Sequence, residues 1–278
     1  MMLVGNDKKY NGIAFVCYLD ILGFSKDVCN NWGKSPDPLE KILSIKKKIN
    51  DTIDADIRGA KEDGELATVF LPYVKTVSDS FMFCFRCCKK DALPVNSSYC
   101  EAVFKAPARV FGLTSILSGI SVVWSEAIKC GYTIRGAIDL GEVYWDENDL
   151  IGPAFITAYN LESKCAKKSR IIISSEINKL FLKMVTDGYA DFISAIKLFE
   201  NFRKDDDDYI IVDPNIMREK KTDTEVNELI EKLEKLRDAA PNEEAKKKYY
   251  QLIEMLKEGK TIGLKDTDLG NSYPTLPC

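Results

Sequence analysis

An uninterrupted apolar run, IAFVCYL over residues 13–19, ends on Asp20 and is followed by Gly23 and a polar stretch. Alternation of apolar and polar positions disappears when neither face of a strand meets water. The run therefore predicts a buried central strand that delivers Asp20 at its end. From Pro38 to Ile57 the spacing changes: Leu39, Ile42, Leu43, Ile45, Ile49 and Ile53 recur among lysines, the pattern of an amphipathic helix returning across a sheet. A loop of charged residues, 58–66, follows. Residues 69–77 and 81–87 read as two strands around the tip Ser78-Asp79-Ser80, which makes Asp79 a second carboxylate at a strand end.

The stretch from Ala102 to Lys129 is helical in pattern. After Gly131, YTIRGAIDLGEVYW reads as a strand pair whose glycines mark a bulge or a close backbone approach. Gly152-Pro153 opens a helix through Lys167. The strand RIIIS (170–174), a helix from Ser175 to about Val185 and the strand YIIVDP (209–214) continue the alternation, with Asp205 to Asp208 as a solvated turn. Residues 222–258 carry Val226, Leu229, Ile230, Leu233 and Leu236, then Tyr249, Tyr250, Leu252, Ile253 and Leu256, with Pro241 between, a helical hairpin. The expected organisation is an α/β (α+β) sheet with flanking helices over residues 1–214 and a C-terminal helical appendage over residues 215–278.

Composition narrows the chemistry. At 278 residues and 45% hydrophobic content the chain can bury a core. A net charge of -4 gives no broad footprint for nucleic acid or an anionic membrane. No apolar run approaches the roughly 20 residues that span a bilayer, and MMLVGNDKKYNG lacks a signal-peptide core, so a cytoplasmic protein is expected. Nine scattered cysteines read as reduced, buried thiols. Cys84, Cys87 and Cys88 have zinc-like spacing but no second pair to complete a site. The chain has no histidine, which removes Ser-His-Asp and Cys-His mechanisms together with every His-ligated metal. Chemistry rests on carboxylates, lysine, arginine, hydroxyls or a bound metal.

Four segments, YLDILGFS (18–25), KTVSDSF (75–81), IRGAIDLGEVY (134–144) and GPAFITAYNLE (152–162), stand in an order that resembles the class III nucleotide cyclases. The likeness covers about residues 13–214 and is greatest to their bacterial anti-phage branch, the pyrimidine cyclases of Pycsar systems. It implies a ferredoxin-like, palm-type sheet. It also implies a homodimer with active sites between subunits, turning a nucleoside triphosphate into a 3′,5′-cyclic monophosphate and pyrophosphate as a defence signal. Asp20 and Asp79 match the aspartates that hold two magnesium or manganese ions, with the Ile21 carbonyl available to one of them. Independently of the family, a triphosphate brings about four negative charges, which hard cations on carboxylates neutralise. The plainer reading of both aspartates is that they cap strand ends.

Within that resemblance Ile21 to Ser25 match the loop whose amides cradle phosphates, Gly23 permitting the approach, Phe24 anchoring the loop and Ser25 following. Lys75 and Asp149 match the base-reading pair of adenine-specific cyclases, a donor and an acceptor that suit cytosine as well as adenine. Tyr73 would narrow the pocket for a pyrimidine, and the substrate order is CTP, UTP, ATP, GTP. The chain departs from the purine cyclases where Ile156 and Asn160 replace an asparagine and a transition-state arginine. That loss is worth on the order of a thousandfold unless another cation substitutes, and Arg135, Lys164 and Arg203 or Lys204 are the replacements available. Arg135 and Asn160 are the catalytic candidates; Lys164 joins the substrate-binding set. Three classes stay open: an active cyclase for CTP or UTP, with ATP as the alternative; a cyclase-fold module binding nucleotide or a partner without turnover; and a phosphodiesterase or nuclease, which would want more metal ligands.

Overall fold

The computed structural model describes residues 9–62, 72–89, 110–219, 221–270 and 273–274. In chain order the elements are β1 (Tyr10–Leu22), α1 (Phe24–Asn31), α2 (Pro38–Glu62), β2 (Tyr73–Val77), β3 (Ser80–Lys89), α3 (Phe111–Lys129), β4 (Thr133–Trp145), β5 (Leu150–Ile151), α4 (Pro153–Lys164), β6 (Ile171–Ile173), α5 (Ser175–Thr186), α6 (Ala190–Ala195), β7 (Phe202–Lys204), β8 (Ile210–Val212), α7 (Asp223–Asp238) and α8 (Glu243–Glu258). The strands form one sheet of order β2-β3-β1-β4-β6-β8-β7, with β5 added to β4. From β1 to β4 the chain makes a βαββαβ unit whose strands pair antiparallel in the order β2-β3-β1-β4, the ferredoxin-like arrangement. The fold is the mixed α/β sheet with flanking helices that the pattern predicts.

Period-two alternation sorts β1 onto two covered faces. Phe15, Cys17, Leu19 and Ile21 enter the main core with Phe81, Phe83 and Phe85 of β3, under Ile45 and Ile49 of α2 and Leu113, Ile120 and Trp124 of α3. Ala14 and Val16 point the other way, toward Tyr73, Cys84, Val143 and Ala154 of α4. Both faces are dry, which is why the run reads as uniformly apolar. Asp20 shares the parity of Ala14 and Val16 and so lies on the α4 face.

Several boundaries differ from the sequence reading. Residues 133–145 form one 13-residue strand, not a pair, because their partner is the whole length of β1, from Tyr10 opposite Trp145 to Leu22 opposite Thr133. The close approach expected at its glycines does occur at Gly136, where a Cβ would lie 2.6 Å from the Tyr18 carbonyl oxygen. The hairpin tip is Ser78-Asp79 alone, with Ser80 already in β3. Charged residues 58–62 extend α2 rather than looping, since Arg, Lys and Glu are good helix formers. α4 stops at Lys164, where the Cys165 and Ala166 amides both donate to the Leu161 carbonyl and close the helix. Residues 63–66, 69–71 and 102–109, read above as loop, strand and helix, lie outside the described residues.

The turn at 205–208 is not simply solvated. The Asp205 carboxylate is fully buried, 2.5 Å from Arg170 Nη1 and 3.2 Å from Lys168 Nζ, and Gln251 donates to it. The C-terminal hairpin opens on a Thr222–Glu225 capping box and an Asn242 cap. Its stripes, Val226, Leu229, Leu233, Leu252 and Leu256, are buried in the same core as the sheet. The surface those stripes need is the chain's own body. No described helix is long and apolar enough to cross a membrane.

Candidate active site

Three adjacent strands bring the charges together. Asp20 pairs with Ser80 of β3 on one side and with Arg135 of β4 on the other, so its carboxylate lies between the β2–β3 turn and the start of β4. Arg135 holds it at 3.3 Å through Nη2. Asp79, one residue before Ser80, adds its charge from the turn. Burial first, and then Asp79, push the Asp20 carboxyl above its ordinary value, against the downward pull of Arg135. Ser80 and Tyr18 hydroxyls share a 2.8 Å hydrogen bond beside it.

Glu162 of α4 completes the group and is absent from the sequence reading. It is buried, with Oε1 2.5 Å from Arg135 Nε in a close ion pair not aligned as a hydrogen bond. Burial pushes its carboxyl up to about 7 against the pull of Arg135, while Asp20 and Asp79 add to the rise. A signal for it existed: Ala154, Ala158 and Glu162 recur at four-residue spacing on the buried face of α4, a carboxylate where the helix turns toward the sheet.

The residues expected to form a phosphate loop fall at the same end of β1. Gly23 takes a left-handed φ of 91° at the start of α1, which turns the chain from strand to helix in one residue. The first-turn amides of α1, from Phe24 onward, have no intrahelical acceptor. Phe24 is buried edge-on to Tyr132 and anchors the helix, and Ser25 is exposed. Asp27, bound to Lys41 at 2.8 Å and to the Tyr132 hydroxyl, ties α1 to α2 and to the residue that precedes β4. Ile21 is buried in the main core and pairs with Ile134, but has no partner in β3.

Lys75 of β2 is buried and donates to the Asn148 carbonyl, while Tyr73 donates to the Asp146 carbonyl at 3.0 Å and stacks on Trp145. Tyr73 is therefore packed into the wall of this region. Asp149 is exposed in a turn organised by Asp146, whose Oδ1 accepts from the Asn148 and Asp149 amides. Lys75 and the Asp149 turn are thus brought together, and Lys75 pairs with Met82 of β3, which faces Tyr18, two residues before Asp20.

Asn160 is half-buried on α4, where its carbonyl accepts from the Ser163 hydroxyl at 3.4 Å, and Ile156 is exposed. Lys164 lies two residues beyond Glu162 and lines a separate cleft. Arg203 and Lys204 do not reach the site, because β7 is four strands from β1 at the sheet edge, and they pair with Glu258 and Asp208. Of the cations proposed to replace the missing arginine, Arg135 is the one beside Asp20. Among the described residues no three His, Cys, Asp or Glu side chains converge as a metal cluster. An ion at Asp20 and Asp79 would complete its shell with backbone, water or substrate oxygen, the habit of magnesium.

No family model matches the chain. No curated protein matches it either. Two solved structures of bacterial light-regulated adenylyl cyclases are similar, one at 13% identity with a TM-score of 0.38 and the other at 14% with 0.35. Each match covers 63% of this chain and 46% of the cyclase chain, so the chain spans about half the length of those proteins.

Proposed function

We propose that this chain is a metal-dependent nucleotide cyclase that forms a 3′,5′-cyclic monophosphate and pyrophosphate from a nucleoside triphosphate. The observation that carries the reading is the convergence of Asp20, Asp79 and Arg135 at the end of β1, beside the N-terminus of α1. The donor set fits magnesium or manganese: two carboxylates and the Ile21 carbonyl are hard oxygens, and a divalent cation would relieve the repulsion from Asp79 that adds to burial in raising Asp20. Two bound ions would supply charge neutralisation for the triphosphate and acidify the ribose 3′-hydroxyl.

The remaining work falls to the chain. In the reaction the ribose O3′ bonds to the α-phosphorus, the bond to the pyrophosphate oxygen breaks, and the 3′ proton leaves. The first-turn amides of α1 receive phosphate oxygens, helped by the positive end of the helix dipole. Arg135 opposes the charge that builds on the α-phosphate. Glu162 orients it, because Glu162 remains its partner when Asp20 turns to a metal ion.

The base is read by Lys75 and Asp149, with CTP first. The active sites lie between subunits, with the metal side from one copy and the base side from the other, as the family resemblance implies. Pyrimidine choice, the homodimer, a cytoplasmic place and a defence signal all extend the family resemblance.

One observation favours a second reading, a module that binds nucleotide without turnover: Ile156 and Asn160 stand where the purine cyclases carry their asparagine and arginine. Incubating the full chain with each triphosphate and manganese, then separating the products, decides between them. Cyclic product with pyrophosphate supports the cyclase. Nucleotide bound but recovered unchanged supports the module.

A further inference from the structure

We propose a second anion site, for a polyphosphate group, in the cleft between the end of α4, the approach to β6 and the outer side of α8. The cleft has a volume of about 550 Å³, within the size range of sites for nucleotide-sized ligands. Six cations line it, Lys164, Lys167, Lys168, Arg170, Lys247 and Lys248, against two carboxylates, Asp207 and Glu244. The chain as a whole carries a net charge of -4, so this is a local reversal, and clustered like charges repel unless an anion joins them.

Part of that charge is already answered. Arg170 is almost fully buried, with Nη1 and Nη2 engaged by Asp205, Asp207 and the Cys165 carbonyl, and Lys168 also pairs with Asp205. Lys167, Lys247 and Lys248 have no carboxylate partner among the described residues. Arg170 Nε is buried with no acceptor, an unused charged donor within the wall of the cleft. A plainer explanation, that lysines favour the negative end of a helix, covers Lys164 and Lys167 at the end of α4. It does not cover Lys247 and Lys248, which lie in the first half of α8.

The cleft is next to the Asp20 centre without being part of it. The Arg170 carbonyl accepts from the Gly136 amide at 3.0 Å, so Asp20, Arg135 and Arg170 stand in one row across β1, β4 and β6, Arg170 two strands and roughly 10 Å from Asp20. The Arg135–Glu162 pair belongs to the Asp20 end of that row. Lys248 also lines a second cavity of about 600 Å³ that reaches Gly23 and α1. An anion held by α8 would therefore touch the helix that also walls the phosphate loop.

Isothermal titration of the full chain with tripolyphosphate in chelator, which keeps divalent ions from the Asp20 centre, tests the assignment. One site is expected, weaker at higher salt, weakened at least tenfold in Lys167→Glu with Lys247→Glu, and unchanged in Asp79→Ala. The milder pair Lys167→Gln with Lys247→Gln should weaken it in the same direction, covering the case in which charge reversal disturbs folding. A parallel titration with CTP separates the sources of the ligand: equal affinity assigns a free polyphosphate, and tighter binding a nucleoside-borne one. Absence of binding at millimolar tripolyphosphate, indifference to the lysine variants, or loss in Asp79→Ala would overturn the proposal.

Discussion

Arg135 Nε lies 2.5 Å from Glu162 Oε1, while its Nη2 reaches Asp20 at 3.3 Å, so one guanidinium joins a carboxylate of the α4 layer to a carboxylate of the central strand. If Arg135 stands in for the missing transition-state arginine, Arg135→Ala should lower kcat by about 10²- to 10³-fold with a smaller change in KM. Arg135→Lys should recover little, because an ammonium cannot hold both carboxylates in a fixed fork. A raised KM with kcat unchanged would place Arg135 in ground-state binding instead.

Glu162→Gln keeps the shape of that contact but removes its charge. Arg135 then loses its fixed partner on α4, and turnover is expected to fall about tenfold or more, with thermal stability altered by no more than a few degrees. A variant that unfolds would show the pair to be structural; wild-type turnover would remove Glu162 from the orientation of Arg135.

Asp139 gives the fold a pH signature. It is buried on β4, with Oδ1 unpartnered, and burial pushes its carboxyl up to about 7 against hydrogen bonds from Ser174, the Leu140 amide and Thr157. The folded chain therefore holds a proton that the unfolded chain releases near pH 4. That contribution to stability is complete below about pH 4 and is lost as pH rises through about 7. Denaturant unfolding at pH 5 and pH 8 should show the loss, on the order of a few kcal/mol, and Asp139→Asn should reduce it, leaving the part that Glu162 carries in the same way. A variant with the same pH slope as wild type would remove Asp139 as the cause.

The two strand-end aspartates were legible because an apolar run that stops on a carboxylate, and a hairpin whose tip is polar, are local patterns. Glu162 was not, since a single carboxylate in a helix ordinarily points to water, and only its place on the Ala154–Ala158 stripe marks it as buried. Asp205 was hidden among four consecutive aspartates. Its burial depends on Arg170, 35 residues earlier, and Gln251, 46 residues later, contacts that no local spacing encodes. The hairpin's stripes were equally clear, but whether they faced another molecule or the chain's own core was a tertiary question.

Sites shared between subunits should complement. Asp79→Ala lacks the metal side and Lys75→Ala with Asp149→Ala lacks the base side, so each is inactive alone. Mixing them should restore up to about a quarter of wild-type activity, because about half of random pairs are mixed and each of those has one of its two sites intact. Persistent inactivity in a mixture shown to exchange subunits would place both halves in one chain.

If Lys75 and Asp149 read the base, Asp149→Asn should relax discrimination between CTP and UTP by roughly 1–3 kcal/mol, the cost of one unpaired buried polar group. An unchanged product ratio removes Asp149 from the pocket and the ground for ranking CTP first.

The most direct measurement is turnover by Asp20→Ala and Asp79→Ala, each assayed beside wild type with manganese and all four triphosphates, with thermal unfolding recorded on the same samples. Each substitution removes an oxygen ligand rather than core packing, so the variants should unfold within a few degrees of wild type yet form no cyclic product above about a thousandth of its rate. Undiminished cyclic product from either folded variant, or none from wild type with any triphosphate, would contradict the account.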